Sequence, residues 1–473
     1  MQHEKPNVLI LMTDQQATWS ISAYGKHEVD TPNIDRLAKE GIRFEQCYTP
    51  SAVCTPSRGC FFTGRYPHSN GAYRNDIPLN LDEITFAQVL KDSGYKTGYI
   101  GKWHLNGGDS PGWLTKETSM GFEDCRYMFN SGHFKKMIEQ ENNINPIKVK
   151  NTQKIVTPIS DMSDVGNEES YTTDWITNKA IDRIKRVKEQ PFCYIVSYPD
   201  PHQPYVVREP YSSMYNPEEM SVPDSFYEEC LPDWAENDTW GRHRYFNIDL
   251  EDRVNRLKKI KAMYCGEVKC IDDNIGRLLD TLEKNGQLDN TIIVFTTDHG
   301  DYMGEHGLLE KNNLYDSVYH LPLIMRWKEK LQPGRTIKEF FNFIDFQPTL
   351  LSMIGVECSG REQGKDLSSL IIDGVKKTDY VNEAFIHPSD VPRGGIITPE
   401  YELAYVGKGF EKNPQRVFAD HILFDRKRDP NQLKNLFDDP EYEDIKKELT
   451  GMIKKHFKQY GVNSELLPDQ LKY

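Results

Sequence analysis

The chain has 473 residues, 37% of them hydrophobic, and carries 58 Lys and Arg against 72 Asp and Glu, a formal charge of -14. This is the composition of a folded protein with a sizeable core, and its acidity excludes general nucleic-acid binding, which needs phosphate-neutralising basic surface. No apolar run approaches the roughly 20 residues of a membrane-spanning helix, and nine scattered Cys without a CxxC pair make no disulfide framework.

In chain order, a first strand is predicted over Asn7–Thr13. Its apolar stretch lies too near the start, and lacks the flanks, to act as a signal peptide, so cytoplasm and periplasm both fit. A helix is expected over Leu81–Ser93, a strand over Thr97–Ile100, a helix over Thr172–Lys188 and a strand over Phe192–Tyr198. Then come a long helix over Arg253–Lys284, stopped by Asn285-Gly286, a strand over Thr291–Thr297 and a helix over Asp345–Ile354. Alternating strands and helices predict an α/β domain with a mostly parallel sheet and helices on both faces. Beyond about residue 360 the pattern changes to short extended pieces, Tyr380–Ile386, Tyr401–Val406 and His421–Asp425, and then a charged helix near Glu441–Tyr460. This division places an α/β domain at 1–360 and a smaller α+β subdomain at 361–473.

The chemistry gathers behind the predicted strands. They run out into Asp14-Gln15, Gly101-Lys102-Trp103-His104, Pro199-Asp200-Pro201-His202 and Asp298-His299-Gly300-Asp301. Ligands of open α/β sheets bind just outside the carboxyl ends of the strands, so four tails deliver carboxylates, imidazoles and a lysine to one edge. Asp14, Gln15, Asp298 and His299 offer three oxygen-bearing side chains and one imidazole, a donor set suited to Ca²⁺, Mg²⁺ or Mn²⁺. A lone Asp after a strand more often caps the next helix; two strand-end pairs that each include Asp reverse that preference. Because the net charge repels anions, an anionic substrate requires a local basic pocket.

A second constellation is Cys54-Thr-Pro-Ser-Arg58. Pro56 suits the first turn of a helix, which places Cys54 near a helix N-terminus that favours anions, with Arg58 one turn on. There an unmodified Cys54 is either a thiolate nucleophile of lowered pKa or a buried small hydrophobe.

The pentapeptide matches the C-x-P-x-R signature of the type I sulfatases of the alkaline phosphatase superfamily. Pro6 to Gln15, Gly101-Lys-Trp-His-Leu105, Pro201-His-Gln-Pro-Tyr205, Thr297-Asp-His-Gly300 and Gly304-Glu-His-Gly307, with Lys311 and the stretch through Pro322, resemble family blocks in family order. The resemblance implies an alkaline-phosphatase-like fold and conversion of Cys54 to formylglycine by a maturation enzyme. One hydroxyl of the hydrated aldehyde attacks sulfur and displaces the alcohol. The other then loses its proton and expels sulfate, a release step that a serine nucleophile lacks.

By the same resemblance, Asp14, Gln15, Asp298, His299 and modified Cys54 hold one divalent cation, calcium first, with Mg²⁺ or Mn²⁺ as alternatives. Arg58 steadies the hydrate, and Lys102 and Lys311 contact sulfate oxygens. His104 accepts the hemiacetal proton, and His202 protonates the leaving alcohol. His306 is assigned to loop structure. Gln15 stands where many members have Asp, and His299 where many have Asn. Both variants occur in branches acting on sulfated sugars, choline sulfate, and phosphonate monoesters or phosphodiesters. The expected substrate is a sulfated saccharide, with Trp234–Tyr245 and His387–Arg393 as segments able to line a sugar-sized cleft. The alternatives are a phosphonate monoester or phosphodiester hydrolase, and a non-catalytic protein that binds sulfated glycans. Neither nucleic acid nor membrane is expected as a partner.

Overall fold

A computed structural model describes residues 5–25, 28–137, 165–187, 190–238, 241–378, 380–389, 392–407 and 420–473. Eight strands form the large sheet: β1 (Asn7–Thr13), β2 (Ile42–Tyr48), β3 (Lys96–Lys102), β4 (Asp124–Phe129), β5 (Phe192–Ser197), β6 (Thr291–Thr297), β7 (His320–Arg326) and β8 (Arg335–Asn342). Their spatial order is β4-β3-β5-β1-β6-β7-β2-β8. Only β7 runs against its neighbours, β6 and β2, so the sheet is mostly parallel, as expected.

Strand β1 lies between β5 and β6 and is buried along its whole length. Alternate side chains leave a strand on opposite faces. Val8, Ile10 and Met12 therefore enter one core while Leu9 and Leu11 enter the other. This burial on both faces explains why β1, β5 and β6 read as near-continuous apolar runs. The strands not anticipated (β2, β4, β7 and β8) carry charged residues among their apolar ones, or Pro322 in the case of β7.

The long helix spans Leu250–Lys284, starting three residues before the predicted Arg253, and packs on the helix Thr172–Arg186. The helix expected over Leu81–Ser93 is shorter, Phe86–Asp92. Thr85 caps it by accepting from the Gln88 N–H at 3.3 Å, which leaves Leu81 in a turn, 75% exposed. The helix Phe346–Met353 follows the prediction to within a residue. Leu367, Leu370 and Ile371 still pack into the core of the large sheet.

Strands β9 (Ala384–Ile386), β10 (Arg393–Ile397), β11 (Tyr401–Val406) and β12 (Ile422–Asp425) form an antiparallel sheet in the order β12-β11-β10-β9. One face, with Ile396, Leu403 and Leu423, packs on Ile453 and Phe457 of the helix Glu443–Tyr460. The other face, with Ile397, Ala404 and Phe424, packs on Tyr302, Tyr315 and Val318 beyond β6. This small sheet therefore lies between its own helix and the loops at the carboxyl edge of the large sheet.

Among the described residues, no helix is long and apolar enough to cross a membrane.

Candidate active site

The carboxyl ends of β1, β3, β5 and β6 do converge. At the end of β1 the chain turns sharply, with Gln15 at φ +61°, and the Gln15 N–H donates to Asp298 Oδ1 at 3.1 Å. At the end of β3, Gly101 has φ +109°, and a Cβ there would lie 1.9 Å from the Ser197 carbonyl oxygen. Only glycine fits that approach. It lets β3 run against β5 and then turn Lys102 and His104, itself at φ +61°, into the pocket.

Cys54 opens the helix Cys54–Thr63, as the position of Pro56 predicted, and all ten residues of that helix are buried. The Cys54 Sγ lies 3.1 Å from His299 Nε2 and 3.8 Å from Asp14 Oδ1. Donor atoms of Asp14, Cys54, Asp298 and His299 all lie within 4.8 Å of one another. His299 Nδ1 is 2.9 Å from the Gly300 carbonyl oxygen. That bond puts the proton on Nδ1 and leaves the Nε2 lone pair facing the carboxylates, the tautomer a metal ligand needs. Two buried carboxylates and one acceptor nitrogen around a common point are a donor set that a divalent cation fits.

Gln15 joins this set through its amide. Nε2 donates to Asp301 Oδ2 at 2.7 Å, while Oε1 accepts from Lys311 Nζ at 2.6 Å. A carboxylate can only accept, so Asp301 fixes which end of the amide faces the pocket.

Arg58 is fully buried beneath Cys54. Its Nε donates to Asp298 Oδ2 at 2.8 Å, its Nη2 reaches Asp14 Oδ2 at 3.4 Å, and its Nη1 donates to the Lys102 carbonyl at 2.7 Å and to Ser197 Oγ at 3.0 Å. Lys102 Nζ donates to Asp14 Oδ2 at 2.5 Å, and Lys311 Nζ lies 2.6 Å from His202 Nε2. Two ammonium groups thus lie near Cys54, the local basic pocket that an acidic protein requires for an anionic substrate.

The electrostatics corrects one expectation. Burial, with Asp14 next, pushes the Cys54 thiol up to about 11. An unmodified Cys54 is held as a thiol here, because desolvation outweighs the pull of Lys311 and Lys102. Burial also pushes Asp14 up, but Lys102, His202, His133 and Arg58 together hold it well below its ordinary value. Burial lowers His104 and His202 well below the usual imidazole range, with Lys102 adding to the shift at His104 and His133 and Lys311 at His202.

Sequence reasoning missed two residues here, Asp301 as a partner of Gln15 and His133. His133 follows β4, a fifth strand whose tail reaches the same edge. Its ring stacks on His202 with centroids 3.5 Å apart, and its Nε2 lies 2.7 Å from Lys102 Nζ. The run Tyr127-Met-Phe129 was the available signal for that strand.

His306 is structural, its Nδ1 2.6 Å from Glu228 Oε2 and its ring stacked on Tyr315. Trp234 and Tyr245, expected beside a sugar cleft, are instead buried in two aromatic cores, because their rings pack under the loops at this edge; residues 239 and 240 between them lie outside the described residues. Of the segment His387–Arg393, the His387 N–H donates to the Pro50 carbonyl and Arg393 Nη1 to the Asn312 carbonyl. Its two ends therefore sit beside the Cys54 loop and beside Lys311; residues 390 and 391 lie outside the described residues.

A mostly parallel sheet whose carboxyl edge gathers buried carboxylates, a histidine, a cysteine and paired ammonium groups is the architecture of an α/β protein with a site suited to a cation and an anionic ester. The Sulfatase family model matches residues 6–356, and the C-terminal model of N-sulphoglucosamine sulphohydrolase matches residues 304–459. An N-acetylglucosamine-6-O-sulfatase of Bacteroides thetaiotaomicron is 30% identical over 99% of this chain and 88% of its own length. A solved complex of a protein with its substrate D-glucosamine-2-N,6-O-disulfate has a TM-score of 0.80 at 26% identity, covering 98% of this chain and 99% of that one. The phosphonate monoester hydrolase of Agrobacterium radiobacter, at 21% identity and a TM-score of 0.76 over 96% of both chains, shares the fold. The chain belongs to the sulfatase family and is a sulfuric ester hydrolase, with the divalent metal and formylglycine that membership implies.

Proposed function

We propose that this sulfatase removes sulfate from a saccharide, with Cys54 as the residue matured to formylglycine and Asp14, Gln15, Asp298 and His299 as the cation ligands. The observation that carries the reading is the convergence of the Asp14, Cys54, Asp298 and His299 donor atoms within 4.8 Å, with Lys102 and Lys311 beside them. The saccharide assignment draws support from the amino-sugar sulfates named for a relative and for a solved complex.

When present, the cation polarises the sulfate group and favours the ionised nucleophile. The chain's own residues do the rest. Lys102 and Lys311 neutralise sulfate oxygens in a buried site, where charge stabilisation is strongest. His202 Nδ1 is 2.8 Å from the Gln203 carbonyl oxygen. That bond keeps its proton on Nδ1 and leaves Nε2, which accepts from Lys311 Nζ, as the atom that must take up a proton from Lys311 before passing one to the departing alcohol. His104, kept neutral by burial and Lys102, takes the proton whose loss releases sulfate. Arg58 hydrogen-bonds to Asp298, Asp14, Ser197, Tyr99 and the Lys102 backbone, so in this reading it holds the cation ligands in place beside the hydrate that it steadies.

Mass spectrometry of the peptide containing Cys54, from protein made with a formylglycine-generating enzyme, is expected to show the lighter aldehyde form. In parallel assays, sulfated saccharides including N-acetylglucosamine 6-sulfate are expected to exceed an aryl phosphonate and a bis-aryl phosphate in kcat/KM. The Gln15–His299 pair is what recommends the phosphorus esters as competitors. Dominant phosphodiester turnover would overturn the saccharide reading, and an unmodified Cys54 in active material would overturn the nucleophile.

A further inference from the structure

Behind His202 lies a buried ion cluster that the reaction as described does not use. The tail of β4 runs Asn130-Ser131-Gly132-His133, and the His133 ring is 6° from parallel with that of His202. An ammonium has only donors, so His133 Nε2, 2.7 Å from Lys102 Nζ, accepts from it. Two residues further on, the buried Lys135 donates to Asp200 Oδ1 and Glu267 Oε1, both at 2.6 Å, and to the His202 carbonyl at 3.4 Å. Lys135 stands two residues after His133, and Asp200 two residues before His202. The ion pair therefore joins the two strand tails directly beneath the stacked imidazoles.

Each partner is held from further out. Asp200 Oδ2 accepts from Tyr171 OH at 2.7 Å and Thr173 Oγ1 at 2.6 Å, and Glu267 Oε1 accepts from the Val206 N–H at 3.0 Å. The Thr172 N–H donates to the Lys135 carbonyl, and the Met137 N–H to the Ser170 carbonyl, tying the segment to the helix Thr172–Arg186. A buried ammonium between two carboxylates is a poor source of stability compared with apolar packing, but its directional bonds define one geometry.

Asp14, His133 and His202 also have the donor spacing of a second cation site. Lys102 Nζ, near Asp14 and His133, and Lys311 Nζ, near His202, already place two positive charges there. The triad therefore already faces the positive charge of Lys102 and Lys311.

We propose that Lys135 is a positioning residue that holds His202 in stacking register with His133, so that His202 Nε2 keeps the direction needed to protonate the departing alcohol. The inference rests on the assignment of His202 as the general acid. The test uses the matured, metal-loaded enzyme and a series of phenyl sulfates, from the good leaving group of 4-nitrophenyl sulfate to the poor one of 4-methoxyphenyl sulfate. His202→Ala is expected to lose about 100-fold in kcat on the poorest leaving group and only a few-fold on the best. Lys135→Met and His133→Ala are expected to follow the same trend more weakly, about ten-fold on the poorest leaving group, with KM changed less than about two-fold. Lys135→Arg should recover part of the loss.

A residue that only stabilises the fold would lower kcat equally across the series, through the folded fraction. Lys135→Met leaves two buried carboxylates without their cation; should it fail to fold, His133→Ala, at a side chain 21% exposed, carries the test. A steep response in His202→Ala with equal losses across the series in the other variants overturns the positioning role alone. No leaving-group dependence in His202→Ala overturns the acid assignment and this inference with it.

Discussion

Two buried clusters in this protein set a pair of carboxylates against basic side chains, and they come out oppositely. Beneath Cys54, Asp14 and Asp298 face Arg58, with Lys102 also on Asp14. Behind His202, Asp200 and Glu267 share the ammonium of Lys135. Burial pushes Asp14 and Glu267 alike toward the neutral carboxyl. Several positive neighbours nevertheless hold Asp14 well below its ordinary value, whereas Glu267, with one shared cation and Asp200 beside it, is raised well above its own. Abundant positive charge keeps a buried carboxylate ionised and able to bind a metal. Scarce positive charge leaves a closed knot that serves geometry.

The largest expected effect breaks the first cluster. Arg58→Leu leaves the buried Asp298 without its cationic partner and Asp14 with Lys102 alone, a change that typically costs about 3–5 kcal/mol. Denaturant unfolding of the metal-free variant should show it, and added Ca²⁺ should restore part of the loss. An unchanged midpoint would mean that Arg58 does not hold the carboxylates.

Cation removal comes next. A ligand present at about 100 times its Kd stabilises by about 2.7 kcal/mol, so chelation should lower Tm by a corresponding amount. Glu267→Gln should show the same chelator shift as the unmodified sequence, because the second cluster binds no cation. A smaller shift in Glu267→Gln would show that the two clusters are coupled.

The smallest effect is one of sign. Asp14, lowered in the folded state, contributes stability that is present above about pH 3.9, its ordinary value, and lost as the pH falls through its depressed pKa. Glu267, raised in the folded state, contributes stability that is present below about pH 4.3 and lost as the pH rises through its raised pKa. Glu267→Gln should therefore differ from the parent by less than about 1 kcal/mol near pH 4 and gain on it as the pH climbs toward neutral. Tm profiles that run parallel across that range would contradict the raised carboxyl.

Much of this site was legible in the residues alone. The tails of β1, β3, β5 and β6 could be placed at one edge because strands buried on both faces announce themselves as apolar runs. The tail bearing His133 could not, because Asp124-Cys-Arg-Tyr-Met-Phe129 mixes charge with aromatics at the sheet edge. Trp234 and Tyr245 show the reverse error: aromatic residues in polar segments suggested a sugar platform, yet both rings are buried.

By itself, the sequence determined the chemistry on offer: a cysteine at the head of a helix, three carboxylate-bearing strand ends, and lysines and histidines in family order. Local pattern suffices for this, since helix starts and buried strands are set by neighbours a few residues apart. Only the tertiary structure decided what each group faces. Lys135 and Glu267 stand 132 positions apart and meet at 2.6 Å, Gln15 turns its amide on Asp301, and the Cys54 thiol is held protonated by burial that no motif records. Burial and long-range charge are properties of packing, and they exist only once the strands have come together.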